Sequence, residues 1–240
     1  EERRHSNKQG KANGRGRHGL RHDDVPMVGG IPFHEFLIVH AAPIEGHGLE
    51  DLGVQSIGVG KIASAVSCAE LIRSRDNVRA VLLFGVAGAF PARHRDNDAI
   101  VQISDLVVVS HDQLGDEGVS TPDGFLDLGA MQLGDCGPFP ADPRMSRDAV
   151  ERLAAPLVHG VTVSSCSGTD AASELMRQRS CADVETMEGA AVAYVCRQLE
   201  IQMLHLRAVS NWTGDRDRGE WNLGAAIDVV QAAVRGLMQP

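Results

Sequence analysis

The sequence predicts an α/β protein, a three-layer α/β/α sandwich around a twisted central mixed, largely parallel β-sheet. Short continuous runs of Val, Leu and Ile recur along the chain, as strands buried on both faces require. Stretches with apolar residues at three- and four-residue spacing lie between those runs, so strands alternate with helices. The length of 240 residues suits one large domain, and the 43% apolar content rules out global disorder.

Residues 1–26 carry seven Lys/Arg, four Asp/Glu and three His, with few aliphatics. Such a segment buries too little surface to offset its ordering entropy. It reads as a flexible basic arm or an added segment ahead of a single domain at 27–240. Phe36–Val39 is the first expected strand, and Val54–Val59 the second. Ile62, Val66, Ala69 and Ile72 mark the inward face of a helix that starts near Lys61. Strands follow at Val78–Phe84 and Ile100–Val109. The Gly-, Pro- and Asp-rich stretch 110–143 has weak periodicity and reads as a long loop that covers a site or an interface. A strand at Val161–Val163 comes next, then a helix marked by Met187, Ala190, Ala191, Tyr194 and Val195. A strand at Met203–Val209 and a helix through Leu223, Ala226, Ile227, Val230, Val234 and Leu237 complete the pattern.

The chain carries 23 basic and 32 acidic residues, a net charge of −9. Without residues 1–26 the balance is 16 basic against 28 acidic, or −12. That charge argues against nucleic acid and anionic membranes as partners, and no apolar run is long enough to span a bilayer. Five cysteines, an odd number with no CxxC, read as reduced thiols of a cytoplasmic protein. The ten histidines show no ligand spacing, so no metal is expected.

Four motifs carry candidate chemistry. Gly58-Val59-Gly60-Lys61-Ile62-Ala63 is a loose dinucleotide fingerprint, but it lacks the acidic residue at a following strand end and reads better as a tight strand–helix junction. Gly85-Val86-Ala87-Gly88 follows the strongest strand, where small residues allow either a turn or close approach of a ligand. Glu185-Thr186-Met187-Glu188-Gly189 opens a helix. Carboxylates there suit the helix dipole, and one on a packed face can also accept from a ligand diol. Arg207 lies inside the apolar run of the last strand and therefore needs a carboxylate mate, for which Glu45 is the candidate.

Taken in order, the Glu45 loop, Gly58–Lys61, Gly85–Gly88, Ser167-Gly168-Thr169, Met187-Glu188 and Arg207-Ala-Val-Ser210-Asn211 resemble the purine nucleoside phosphorylase/nucleosidase superfamily, in its small hydrolase branch. The likeness runs from Phe36 to the C-terminus. It implies cleavage of an N-glycosidic bond through a ribosyl cation, with a small-molecule nucleoside as substrate and no cofactor. It also implies a homodimer or higher homo-oligomer. By that resemblance Glu45 activates water, Arg207 orients it, Glu188 holds the ribose hydroxyls and Met187 packs on the ribose. Asn211 holds the purine, and Val86, Ala87, Gly88, Gly168, Thr169 and Ser210 shape its pocket. Leu83 stands where the phosphorylases of this fold carry a phosphate-binding Arg, and Ala41–Gly48 contains no Lys or Arg, so water is the expected nucleophile.

Thr121–Leu126, Val163–Thr169 and Ser210–Arg218 with Trp221 match best the hydrolases of the branch that act on a 6-oxopurine nucleoside with a carboxylate beyond ribose C5′. The methylthioadenosine/adenosylhomocysteine nucleosidases usually carry Asp at the position of Asn211. An Asp can protonate adenine N7, whereas an Asn only donates a hydrogen bond and so favours hypoxanthine over adenine. Arg216 and Arg218, which Asp215 and Asp217 could equally satisfy, and Phe125 are the candidates for the 5′ substituent. With nine aromatics in the chain, Phe84, Phe90, Phe125, Trp212 and Trp221 form the short list for ring contacts. The rival readings are an adenine-nucleoside hydrolase, a purine-nucleoside binding protein without catalysis and, on Gly58–Ala63 alone, a dinucleotide-dependent oxidoreductase.

Overall fold

The computed structural model describes residues 25–91, 101–215 and 221–239. Most of the expected N-terminal arm, together with Arg216 and Arg218, lies outside the described residues. A small hairpin of β1 (Met27–Val28) and β2 (Ile31–Pro32) leads into β3 (Phe36–His40), every residue of which is buried. Next come α1 (Pro43–Gly46), β4 (Gln55–Ser56), α2 (Lys61–Arg73), β5 (Ala80–Ala89) and β6 (Leu106–Leu114). Hairpin strands β7 (Gly118–Thr121) and β8 (Gly124–Asp127) precede β9 (Phe139–Pro140) and α3 (Pro143–Leu153). The last third holds β10 (Leu157–Thr162), α4 (Asp170–Ser180), β11 (Val184–Thr186), α5 (Gly189–Gln198), β12 (Gln202–Trp212) and α6 (Leu223–Leu237).

The central sheet runs β11-β10-β6-β12-β5-β3-β4, with β9 on β6. Five of its pairings are parallel (β10–β11, β10–β6, β12–β5, β3–β5, β3–β4), while β6 runs antiparallel to β12. Helices α3 and α6 cover one face, where Met145, Ala149, Val230, Val234 and Leu237 meet Leu82, Phe84 and Leu206. On the other face lie α2 and α5, with Cys68, Ile72, Val192 and Cys196 against Leu37, Val81 and Leu83. The predicted α/β/α layering and mixed sheet are therefore present. One feature goes beyond that expectation: the far end of β5 also pairs antiparallel with β11, Glu185 opposite Gly88 and Val184 opposite Ala89, so part of the sheet closes on itself.

Several expectations need correction. The strand foreseen at Val54–Val59 shrinks to Gln55–Ser56, because Gly58 (φ 80°) and Gly60 (φ 92°) turn the chain into α2. Gly85–Gly88 is not a turn after a strand, since β5 continues through it to Ala89, held by β12 and β11. Of the strand expected at Ile100–Val109, Ile100 lies outside the described residues, and β6 starts only at Leu106, after the turn through Ile103 and Ser104. On α2, Ile62 and Val66 point outward, 83% and 54% exposed, and Ser64, Cys68 and Ile72 face inward. Small side chains suit that face because α2 packs on α5, where Cys68 meets Cys196. Tyr194 is 41% exposed, edge-on to Phe139 at 5.6 Å. The stretch 110–143 is not one long loop, since it holds the end of β6, the β7–β8 hairpin and β9. Its hairpin turns at Pro122-Asp123, residues suited to a tight turn. Among the described residues no helix is long and apolar enough to cross a membrane.

Candidate active site

The carboxyl ends of β5, β10, β11 and β12 converge, which is where open α/β sheets place ligands. A cavity of about 360 Å³ opens there, lined by Gly88 from β5, Cys166 to Gly168 from the loop after β10, Glu185 and Met187, Asn211 to Gly214, and Trp221. Of the residues foreseen from sequence, the cavity brings together Gly88, Gly168, Met187 and Asn211. It also holds Trp212 and Trp221 from the aromatic short list.

Asn211 sits at the end of β12, opposite Gly88. Its Oδ1 accepts from the Ser210 hydroxyl at 2.7 Å, and its Nδ2 donates to the Trp212 carbonyl at 2.8 Å. An amide nitrogen carries two protons, so one N–H remains for a ligand. Ser210 also lies 3.2 Å from the carbonyl of buried Ala87, which ties the end of β12 to β5.

Beside the cavity lies a buried charged layer formed by Glu45, Glu188 and Arg207, which are 3%, 4% and 1% exposed. Pro43 starts α1 at a position that needs no N–H, and Glu45 reaches back to the helix start. Its Oε2 accepts from the backbone N–H of Ala41 (3.1 Å) and Ala42 (2.9 Å), and its Oε1 from that of Val86 (3.0 Å). Glu188 stands at the N-cap of α5, where the helix dipole favours a carboxylate. Its Oε1 accepts from Gly60 N–H at 3.0 Å and its Oε2 from Arg207 Nη2 at 3.3 Å. Arg207 further donates from Nη1 to the Val86 carbonyl (3.1 Å) and from Nε to His205 Nε2 (2.8 Å).

The ionic partner of Arg207 is thus Glu188, not Glu45 as the sequence suggested. Backbone amides already hold the Glu45 carboxylate, whereas the α5 N-cap aims Glu188 straight at the guanidinium. Gly85 lies between the two groups. A Cβ there would stand 2.5 Å from Glu45 Oε1 and 2.7 Å from Arg207 Nη1. Gly85→Ala is therefore expected to displace both side chains. It should cost about 1–3 kcal/mol of stability through overpacking and lower any hydrolytic kcat far more than that loss explains. A thermal melt alongside steady-state rates checks this.

Other foreseen residues sit elsewhere. Thr169 turns its hydroxyl away to cap α4, accepting from Ala172 N–H at 3.2 Å. Val86 contributes only backbone groups to Glu45 and Arg207. Phe125 lies on the β7–β8 hairpin under the Arg179 guanidinium, 4.1 Å from ring centre to Cζ, and does not line the cavity. Phe84 and Phe90 are core residues, in the α6-facing cluster and against Val161, Val163 and Met176. Sequence reasoning missed three groups. Gly60 donates to Glu188 from a turn that read as merely structural. Thr213, tied to Ser173 by hydroxyls 2.7 Å apart, lines the cavity. Glu185 read as a helix cap, but it is buried and accepts from Ser167 N–H (2.8 Å) and Oγ (2.6 Å), which pins the Ser167–Gly168 loop. Burial raises the Glu185 carboxyl above its ordinary range, partly offset by those two bonds.

The chain belongs to the phosphorylase superfamily, whose family model matches residues 44–238. It is 30% identical over 222 residues to the futalosine hydrolase of Thermus thermophilus, covering 90% of this chain and 91% of that protein. Among solved structures, a mutant of the Helicobacter pylori futalosine hydrolase superposes with a TM-score of 0.70 at 18% identity, covering 84% of this chain and 97% of that one. The 5′-methylthioadenosine/S-adenosylhomocysteine nucleosidase of Colwellia psychrerythraea, in complex with adenine, superposes with a TM-score of 0.69 at 21% identity, over 85% and 93% of the two chains. The two structural likenesses establish the shared fold.

Proposed function

We propose that this chain is an N-ribosyl hydrolase that cleaves futalosine into hypoxanthine and dehypoxanthine futalosine, a step of menaquinone biosynthesis in the cytoplasm. The observation that carries the proposal is the buried Glu45–Arg207–Glu188 layer beside a cavity walled by Asn211. The relationship to futalosine hydrolase over nine-tenths of the chain supports the choice of substrate.

In this reading the purine enters the cavity between Gly88 and Asn211, near the Trp212 and Trp221 rings. The free Asn211 N–H donates to the leaving base at N7 or O6. Met187 packs on the ribose, and Glu188 accepts from the 2′- and 3′-hydroxyls. As the glycosidic bond breaks, positive charge grows on the ribose, and a carboxylate already fixed by Gly60 N–H and Arg207 stabilises it without reorganising. The purine leaves with the bonding electron pair as an anion, held by the Asn211 N–H, and takes its proton from solvent, while Glu45 takes a proton from the attacking water. Water rather than phosphate is the nucleophile in this reading: Leu83 is fully buried in the sheet, and Ala41–Gly48 holds no Lys or Arg. A homodimer in which the neighbouring copy lends Phe125 would complete the 5′ pocket, with Arg216 or Arg218 pairing the substrate carboxylate.

The test is hypoxanthine release from futalosine, with and without phosphate, beside methylthioadenosine. Phosphate-independent cleavage with futalosine preferred is the expected result. Preference for methylthioadenosine would move the assignment to the adenine-nucleoside branch, and tight binding without release would leave a binding protein. Asn211→Asp is expected to raise the relative rate on adenine nucleosides about tenfold or more, since a protonatable group then faces N7. An unchanged preference would sink the base-reading argument.

A further inference from the structure

Beneath the site lies a carboxylate that the mechanism above does not use. Asp112, on β6, is 1% exposed. Its Oδ1 accepts from the Thr162 hydroxyl at 2.9 Å, and its Oδ2 from the Thr186 hydroxyl at 3.3 Å. Both threonines also receive the start of α5. Ala190 N–H donates to Thr162 Oγ1 at 2.8 Å and Gly189 N–H to Thr186 Oγ1 at 3.3 Å. Those amides directly follow Glu188. On its other side, Asp112 Oδ2 lies 3.9 Å from His205 Nδ1. His205 Nε2 accepts from Arg207 Nε, so the neutral ring carries its proton on Nδ1, facing Asp112. Two arms thus run from one carboxylate to Glu188, through the threonines to its helix and through His205 to its guanidinium partner.

The space for this carboxylate is built in. A Cβ on Gly189 would collide with Asp112 Oδ2, and one on Gly160 would stand 2.7 Å from the same atom. Two glycines on separate elements leave a hole that fits the acid.

We propose that Asp112 is a positioning residue for Glu188 and Arg207, and that its charged form strengthens the negative field under the ribosyl cation. The proposal rests on the reading of Glu188 as the ribose-binding carboxylate. The titratable and charged groups that face Asp112 are His205 and Arg207 from β12. The other neighbours, from β9, β10, β11 and α5, are Phe139, Gly160, Thr162, Thr186, Gly189 and Ala190. Burial pushes the Asp112 carboxyl up to about 7, against the threonine bonds and the Arg207 charge, which pull it down. Burial and the Arg207 charge hold His205 well below its ordinary value, so it stays neutral across the working range. Asp112 is therefore the member of this cluster that changes charge near neutrality.

Activity should rise with pH along a limb centred near the Asp112 value of about 7. Asp112→Asn should abolish that limb. It should lower kcat on futalosine about tenfold at pH 8, less than removal of a direct donor costs, while matching the native enzyme more nearly at pH 5.5. A second variant guards against misfolding. Thr186→Val keeps the shape but removes one donor to the carboxylate, so the limb should move to higher pH. Stability supplies a readout independent of turnover. A carboxyl whose folded value exceeds its unfolded value favours the fold below about pH 4, and that contribution is lost as pH rises to about 7. The melting temperature of Asp112→Asn relative to the native chain should therefore climb across that window. Hydrolysis with a limb that neither variant moves overturns the proposal and leaves the nucleosidase reading intact. No nucleoside hydrolysis at any pH overturns that reading, and the inference with it.

Discussion

Glu188→Gln is expected to lower kcat for hypoxanthine release by about 10²-fold or more, the scale seen when a preorganised charge is removed from a dry site. The amide can still accept one hydrogen bond from Gly60 N–H or a ribose hydroxyl, so substrate should bind. What disappears is the negative charge that answers the growing cation. The substitution also strands Arg207, 1% exposed, without its counter-charge. Breaking a buried pair costs on the order of 3–5 kcal/mol, so melting curves must accompany the kinetics. A folded variant with near-native kcat would remove Glu188 from the chemistry.

Glu45→Gln is expected to lose a similar factor through a different step. Three backbone amides hold the Glu45 carboxylate, from Ala41, Ala42 and Val86. A glutamine cannot satisfy the same set, because its NH₂ group would face at least one of those donors. The proposed proton acceptor for water is lost at the same time. Product binding should survive, since neither the purine cavity nor Glu188 is touched. Hypoxanthine affinity by calorimetry beside single-turnover rates separates the two effects, and loss of product binding with turnover retained would contradict the assignment.

The layered fold was legible because its strands are continuous apolar runs, for which burial on both faces leaves little choice. Element ends were less so. β5 runs on through Gly85-Val86-Ala87-Gly88 because β12 and β11 flank it there, and pairing across distant strands leaves no local trace. The face of α2 was misjudged for a related reason. Ile62, Val66 and Ile72 suggest an apolar stripe, but the neighbour is another helix at close range, and small Ser64 and Cys68 turn inward. The candidate residues Glu45, Glu188, Arg207 and Asn211 could be singled out because they stand in recognisable order. Their partners were not readable. The Arg207–Glu188 pair joins a strand to a helix start, and the Gly60 amide reaches Glu188 from 128 residues away. Asp112, inside an otherwise ordinary strand, gives no sign in sequence that two glycines and two threonines have been arranged around it.

The pairing of Glu185 with Gly88 works as a fixed gauge. Gly88 and Asn211 line the cavity from β5 and β12, and Met187 lines it two residues past Glu185. Backbone hydrogen bonds join β5 and β11 here, so in the proposed reading the reach from base to sugar is a bolted dimension that side-chain substitution cannot stretch. Such a scaffold can keep one bond-breaking geometry through long divergence. New substrates would then arise at the periphery, by altering the β7–β8 hairpin or the Trp221 edge, with the span of the jaws unchanged.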